Sequence, residues 1–371
     1  MRYYIIAGEA SGDLHGSNLI KEIQKRDKRA DVRCWGGDMM QQTGATLVKH
    51  YRELAFMGFI EVVKNLPAIM RNLKFCKEDI INYKPDVLVL IDYPGFNLRI
   101  AEWAKTLRLK IAYYISPQVW AWKENRVKKI KSSVDKMLVI LPFEKTFYNK
   151  WQYEVEYVGH PLIEVIEKEK SLASATSFSD RPIIALLPGS RQQEIIKKLP
   201  IMLAVSKFFP DYQFIVAKAP GLDPAFYDFM LQPYNNVSSV SGQTYALLKQ
   251  AKAALVTSGT ATLETALFGV PEVVCYKSSA ISYQIGKRVI RVKYISLVNL
   301  IMDKLVVKEL IQDALTPENL QIELNDLLNN PLRIAQLKED YRLLKEKLQQ
   351  GGLASANAAK SIVDLAGANA S

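Results

Sequence analysis

A short apolar run that stops at a small or polar turn, with a helical pattern behind it, recurs along this chain and limits what it can fold into. RYYIIA at 2–7 breaks into GEASGD, and RPIIALL at 181–187 breaks into PGSRQQE. Apolar runs of this length without strict alternation suit strands buried on both faces, and strands separated by helices imply a parallel sheet with right-handed crossovers. In the first half, further strands are expected at 31–36, 86–92, 110–116, 136–141 and 155–158. In the second half they are expected at 183–187, 213–217, 253–256 and 272–276. The stretch SLASATSFSD at 171–180 has little core-forming content and reads as a linker. The expected fold class is α/β, with two doubly wound halves at 1–170 and 171–344.

Parallel sheets bind ligands beyond the carboxyl ends of their strands, so the informative residues should follow the apolar runs. The first such loop, GEASGD, fits neither a dinucleotide fingerprint nor a phosphate-binding P-loop. Its acids Glu9 and Asp13 are ill suited to cradling a phosphate, so it has to hold something else.

Composition narrows the classes. The 371 residues suffice for two cores. No apolar run approaches the roughly 18 residues that cross a bilayer, and the N-terminus does not read as a signal peptide. The cysteines Cys34, Cys76 and Cys275 form no C-x-x-C pair, which suits a reducing compartment. Three histidines without ligand spacing give no metal site, so no metal or cofactor is expected. The net charge of +11 favours an anionic partner. No reader motif points to nucleic acid. The densest basic stretch, KENRVKKIK at 123–131, reads as a solvated helix face.

TSGTATLE is the clearest anion site. Unpaired N–H groups at a helix start, small residues at Ser258 and Gly259, and hydroxyls from Ser258, Thr260 and Thr262 all suit a diphosphate. Glu264 could accept both hydroxyls of a ribose. The competing reading is an ordinary capped helix. LPGSR adds Arg191, which can fork onto phosphate oxygens or simply pair with Glu194. Two such loops in one half favour a nucleotide diphosphate there.

The first half gathers Glu9, Ser11, Asp13, Asp92, Tyr93, Trp120 and Trp122. Asp92, at a strand end, is a candidate general base; Asp before Tyr-Pro-Gly is also a good turn former. The tryptophans read first as packing. His160, in GHPL, reads first as a loop-orienting imidazole. In 56–75, Phe59, Val62, Val63, Leu66, Ile69, Met70 and Leu73 recur near helical spacing, with Pro67 starting a second helix or kinking the first. A core-facing helix is one reading. Lys64, Arg71, Lys74 and Lys77 beside them also describe an interfacial helix on anionic lipid.

The motifs GEASGD (8–13), MGFIEV (57–62), IDYPGFN (91–97), SPQVWAW (116–122), GHPL (159–162), LPGSR (187–191), SGTATLE (258–264) and SLVNLI (296–301) together resemble the lipid-A-disaccharide synthases. They lie in order over nearly the whole chain. Gly95 departs from the pattern, since the family often has an acid there; Asp92 and Asn97 remain in register.

The resemblance implies a GT-B fold, with two Rossmann-like domains facing across a cleft and a C-terminal helix, about 345–371, returning to the first. It implies an inverting, metal-independent glycosyltransferase. The donor would be UDP-2,3-diacylglucosamine and the acceptor 2,3-diacylglucosamine 1-phosphate. The products would be the β-1,6-linked disaccharide 1-phosphate and UDP. Asp92 would be the base, with Glu9 the alternative. Glu9, Ser11 and Asn97 would lie on the acceptor side. Arg191, Ser258, Gly259, Thr260, Thr262, Glu264, Asn299 and Asn357 would lie on the UDP side. The resemblance raises the membrane reading of 56–75, with Met57 added to its apolar set, above the core reading. It also implies cytoplasmic work at the inner face of the inner membrane, against an anionic phospholipid surface, and is compatible with a homodimer. A UDP-sugar 2-epimerase of the same fold and a non-catalytic, nucleotide-binding peripheral membrane protein are the rivals.

Overall fold

The structure is a computed structural model that describes residues 1–54, 66–122, 124–172, 177–219, 222–223, 225–279, 283–284 and 292–367. The chain divides into two compact units. One comprises Met1–Pro161 and Leu348–Ser371, the other Leu162–Lys347.

The first unit is built on a seven-stranded sheet: β1 (Arg2–Ala7), β2 (Asp31–Gly36), β3 (Thr46–His50), β4 (Val87–Ile91), β5 (Ile111–Tyr114), β6 (Lys136–Val139) and β7 (Glu156–Tyr157). The order is β3-β2-β1-β4-β5-β6-β7, and every pairing is parallel. Alternate residues of β1 enter opposite cores, which is why its apolar run has no polar interruptions. Tyr4 and Ile6 pack with Leu73, Cys76, Ile80, Phe96, Ile100 and Ile130. Tyr3, Ile5 and Ala7 pack with Leu19, Ile20, Ile23, Ala358 and Ile362. The helix Ala354–Gly367 lies against the helix Ala10–Arg26, so the end of the chain completes the first unit's second layer.

The second unit holds six parallel strands: β8 (Ile183–Leu187), β9 (Gln213–Lys218), β10 (Val237–Ser241), β11 (Ala251–Thr257), β12 (Glu272–Tyr276) and β13 (Lys308–Ile311). Their order is β10-β9-β8-β11-β12-β13. In each sheet the order reverses once, between β1 and β4 and again between β8 and β11. Such a switch point opens a crevice beyond the strand ends, because successive helices leave to opposite faces.

Three strands were not expected from the sequence. β3 (TLVKH), β10 (VSSVS) and β13 (KELI) occupy sheet edges, where polar residues are tolerated and the apolar signal is diluted. In the expected linker, Ser171 ends a helix that begins at Pro161, and residues 173–176 lie outside the described residues.

The segment 56–75 needs a correction. Met57, Phe59, Val62 and Val63 lie outside the described residues. A helix runs over Leu66–Tyr83, with Pro67 in its first turn, where its missing N–H costs nothing. Leu73 is only 6% exposed and belongs to the core, and Ile69, partly buried, packs against that core. Met70 is 56% exposed, and Phe75, which the expected set omitted, is exposed too. The helix therefore buries one face and presents the other.

Candidate functional site

GEASGD and Asp92 meet at the first unit's switch point. The loop's glycines serve close packing. A Cβ on Gly8 would sit 2.3 Å from the Tyr93 ring, and one on Gly12 would sit 3.0 Å from Ala7 Cβ. Asp13 is buried and accepts backbone N–H bonds from Gly37 (2.8 Å), Met39 (3.1 Å) and Met40 (3.0 Å). It ties the end of β2 to the first helix and is not open to a ligand. Glu9 stands at the start of that helix, partly exposed, and Ser11 is exposed in its first turn.

Asp92 follows β4 directly. Asp92 and Tyr93 both adopt left-handed backbone, at φ 43° and 50°. Two successive non-glycine residues there are strained, and such strain persists only where surrounding bonds enforce it. Those bonds are present. The Asp92 carbonyl accepts from Asn97 Nδ2 at 2.8 Å and Tyr113 Oη at 2.5 Å, and its N–H donates to Tyr114 O at 3.2 Å. The carboxyl is pushed up to about 7, by burial first and by the charge of Glu9 second. A carboxyl poised there can take a proton near neutral pH.

Asn97 is buried, with its amide nitrogen on the backbone of β4 and its turn. It shapes the turn that carries Asp92. His160 and His15 are buried; burial lowers them to about 3 and about 4, with His15 adding to the effect at His160. Both are neutral imidazoles at pH 7. Trp120 packs edge-on against Phe143, as the packing reading expects, whereas Trp122 is exposed with Arg126 over its ring.

The second unit's switch point carries a cavity of ≈ 280 Å³. Gly189, Ser190 and Glu194 wall one side, Ser258, Gly259, Thr260 and Ala261 another, and Lys218 and Glu264 complete it. Lys218, at the end of β9, was missed from the sequence; its signal was a lone basic residue closing an apolar run. It also lines a neighbouring cavity with Gly242, Gln243, Thr244 and Tyr245. Gly259 (φ 147°) lets the chain enter the helix Thr260–Phe268, whose first residues, Thr260 and Ala261, line the cavity.

Two of the three expected hydroxyl donors are committed elsewhere. Ser258 Oγ donates to Ile295 O at 2.7 Å, and buried Thr262 donates to Gly259 O at 2.8 Å. Thr260 is exposed at the helix start. Glu264 Oε1 accepts from Tyr245 Oη at 2.9 Å, and burial raises its carboxyl, with that bond acting against the rise. Arg191 is 56% exposed along its side chain, with Nη1 3.3 Å from Glu194 Oε1, so the surface ion pair weighed from sequence is present.

Asn299 and Asn357 sit differently from the expected ligand contacts. Buried Asn299 donates to Val307 O and Glu309 Oε1 and accepts from the N–H groups of Val306 and Val307. Its amide is filled, and it fixes the loop behind Ser296. Asn357 belongs to the first unit, where Nδ2 donates to Val158 O and Gly351 O. It joins the end of β7 to the glycine turn at 351–352.

Against known proteins, the sequence profile of the lipid-A-disaccharide synthetase family matches residues 3–363. The lipid-A-disaccharide synthase of Syntrophus aciditrophicus is 39% identical over 360 residues, covering 94% of each chain. That of Geobacter sulfurreducens is 38% identical, covering 95% of this chain and 94% of its own. Lipid-A-disaccharide synthase 1 of Legionella pneumophila is 37% identical, covering 94% and 93%. Among solved structures, the UDP-GlcNAc 2-epimerase of Neisseria meningitidis bound to UDP-GlcNAc aligns with a TM-score of 0.66 at 14% identity, covering 98% of this chain and 99% of its own. The kitacinnamycin glycotransferase aligns at 0.67 with 15% identity, covering 98% of both. These likenesses give the fold: two parallel-sheet α/β units of the GT-B class.

Proposed function

The chain belongs to the lipid-A-disaccharide synthetase family, and from that premise we propose how its two switch-point sites divide the work. It is a glycosyltransferase that uses a UDP-sugar donor and a sugar acceptor. The donor is UDP-2,3-diacylglucosamine, with its diphosphate at the cavity of the second unit. The acceptor is 2,3-diacylglucosamine 1-phosphate, met by Glu9, Ser11 and Asp92 of the first unit.

The observation that carries this division is the contrast between the switch points. One holds carboxylates, with Asp92 pushed up to about 7. The other holds Lys218 and the start of a helix around a cavity, with Arg191 exposed beside it and paired to the lining residue Glu194. This answers what GEASGD holds: a neutral sugar hydroxyl tolerates neighbouring acids that would repel a diphosphate.

In the proposed step, Asp92 accepts the proton of the acceptor 6-hydroxyl. That oxygen attacks the donor anomeric carbon from the face opposite UDP, and the bond from that carbon to the diphosphate oxygen breaks with its electron pair leaving on UDP. Arg191, the backbone N–H groups of Gly259 and Thr260, and the helix start stabilise that charge. Glu264 takes the ribose once Tyr245 yields or shares its bond. Asn97 and Asn299 act by holding the turn and the loop.

Both substrates carry acyl chains, so the enzyme meets them at a membrane. Among the described residues no helix is long and apolar enough to cross one. Exposed Met70 and Phe75, flanked by exposed Arg71 and Lys74, suit an anionic phospholipid surface, at the inner face of the inner membrane. The epimerase rival shares the fold at 14% identity, whereas the synthase of Syntrophus aciditrophicus is 39% identical over 360 residues.

The test is UDP release from the lipid donor with and without lipid acceptor. Release that depends on acceptor supports the reading. Release without acceptor, or none with both present, overturns it.

A further inference from the structure

The helix Gln192–Ala204 carries an ammonium group that the proposed reaction does not use. Lys198 is 2% exposed, and its Nζ lies 3.5 Å from Oε2 of Glu194. A lysine this deep is rare, because removing its charge from water is costly unless a partner compensates. Burial lowers its pKa and Glu194 opposes that fall. The nearby thiol of Cys275 is pushed up to about 12 by burial and supplies no charge at neutral pH.

Glu194 has two faces. Oε2 looks inward to Lys198, while Oε1 lies 3.3 Å from Arg191 Nη1. It also lines the cavity assigned to the diphosphate. Gly189 lets the turn come close to it, since a Cβ there would lie 2.9 Å from Oε2. A carboxylate in the wall of an anion site repels the anion and competes for the arginine. Lys198 reverses the balance, leaving the three side chains with a net single positive charge where Arg191 and Glu194 alone would be neutral.

We propose that Lys198 is a positioning residue that neutralises Glu194 from behind and so leaves the Arg191 guanidinium available to a nucleoside diphosphate. This rests on the nucleotide reading of the same cavity. Lys198 touches no substrate and acts through Glu194.

The experiment titrates UDP calorimetrically into the full-length wild type, Lys198→Met, Glu194→Gln and the double variant, each checked for native melting. Lys198→Met should weaken UDP about tenfold or more, with kcat/KM for the donor falling at least as far, since the same guanidinium meets the departing diphosphate. Removing the opposing carboxylate in the double variant should restore affinity to within about threefold of wild type. A merely structural ion pair would show its loss and its rescue in melting temperature, whereas here both are expected in the UDP affinity of variants that melt like wild type.

A folded Lys198→Met that binds like wild type overturns the inference alone, and so does a double variant that binds no better than Lys198→Met. If Lys198→Met fails to fold, the double variant is compared with Glu194→Gln. Equal affinities support the proposal, and weaker binding by the double variant overturns it. A wild type that does not bind UDP overturns the nucleotide reading itself and takes this inference with it.

Discussion

Replacing Asp92 by Asn should cut turnover sharply and yet make the protein harder to unfold at alkaline pH. The carboxyl is pushed from 3.8 to about 7, so the folded protein holds the proton more tightly than the unfolded chain does. For an acid raised in this way, the stabilising contribution is full below the unfolded value and is lost as pH climbs through about 7. The penalty on the charged form is at most about 4 kcal/mol for that interval. Asp92 is partly exposed, and solvent screening reduces the figure to about 1–3 kcal/mol. Asparagine tolerates the left-handed backbone at φ 43° and carries no charge. The variant should therefore melt roughly 2–8 °C higher than wild type at pH 8.5, with the gap closing toward pH 4. Turnover should fall by roughly 10²–10⁴. The assays are thermal melts across pH beside acceptor-dependent UDP release, and the wild-type kcat/KM should rise with pH through an apparent value near 7. A folded variant with near-normal turnover would refute the base assignment and make Glu9 the candidate. A variant less stable than wild type by the same margin at pH 5 and pH 8.5 would show that Asp92 serves only its turn.

Arg191→Ala should weaken UDP by about 1.5–3 kcal/mol in calorimetry, and unchanged affinity would leave only its ion pair with Glu194. Met70→Ser should alter stability by less than about 0.5 kcal/mol and reduce flotation with anionic vesicles, while Leu73→Ser should cost about 2–5 kcal/mol in denaturant unfolding. Equal costs at the two positions would contradict the two-faced helix. Asp13→Ala strands the N–H groups of Gly37, Met39 and Met40 and should cost about 3–5 kcal/mol; a cost below about 1 kcal/mol would show that the clamp is dispensable.

How much of this was legible in the sequence follows from where each signal is stored. Central strands such as β4 and β8 are buried on both faces, so their composition announces them. Edge strands β3, β10 and β13 bury less and their composition does not. The loops GEASGD, LPGSR and TSGTATLE were visible because a polar turn after an apolar run is a local pattern. Sheet order was not local, and it is the reversal at β1/β4 that brings GEASGD to the Asp92 turn and the reversal at β8/β11 that brings LPGSR to TSGTATLE. Residue type alone did not separate a clamp from a ligand group: Asp13 and Asn299 look like site residues until their backbone partners are seen. Leu73 was assigned to lipid because spacing marks an apolar face without saying what covers it. Lys218 and Lys198 were passed over because one lysine in a basic chain carries no signal until its burial or its cavity is known.

Product identity tests the central claim most directly. Purified protein is incubated with UDP-2,3-diacylglucosamine and 2,3-diacylglucosamine 1-phosphate, and the lipid product is analysed by mass spectrometry and by NMR of its anomeric centre. The account predicts one tetra-acylated disaccharide 1-phosphate with a β-1,6 linkage, formed in equal amount with UDP. An α linkage, a sugar epimerised at C2, or hydrolysed donor with untouched acceptor would contradict it.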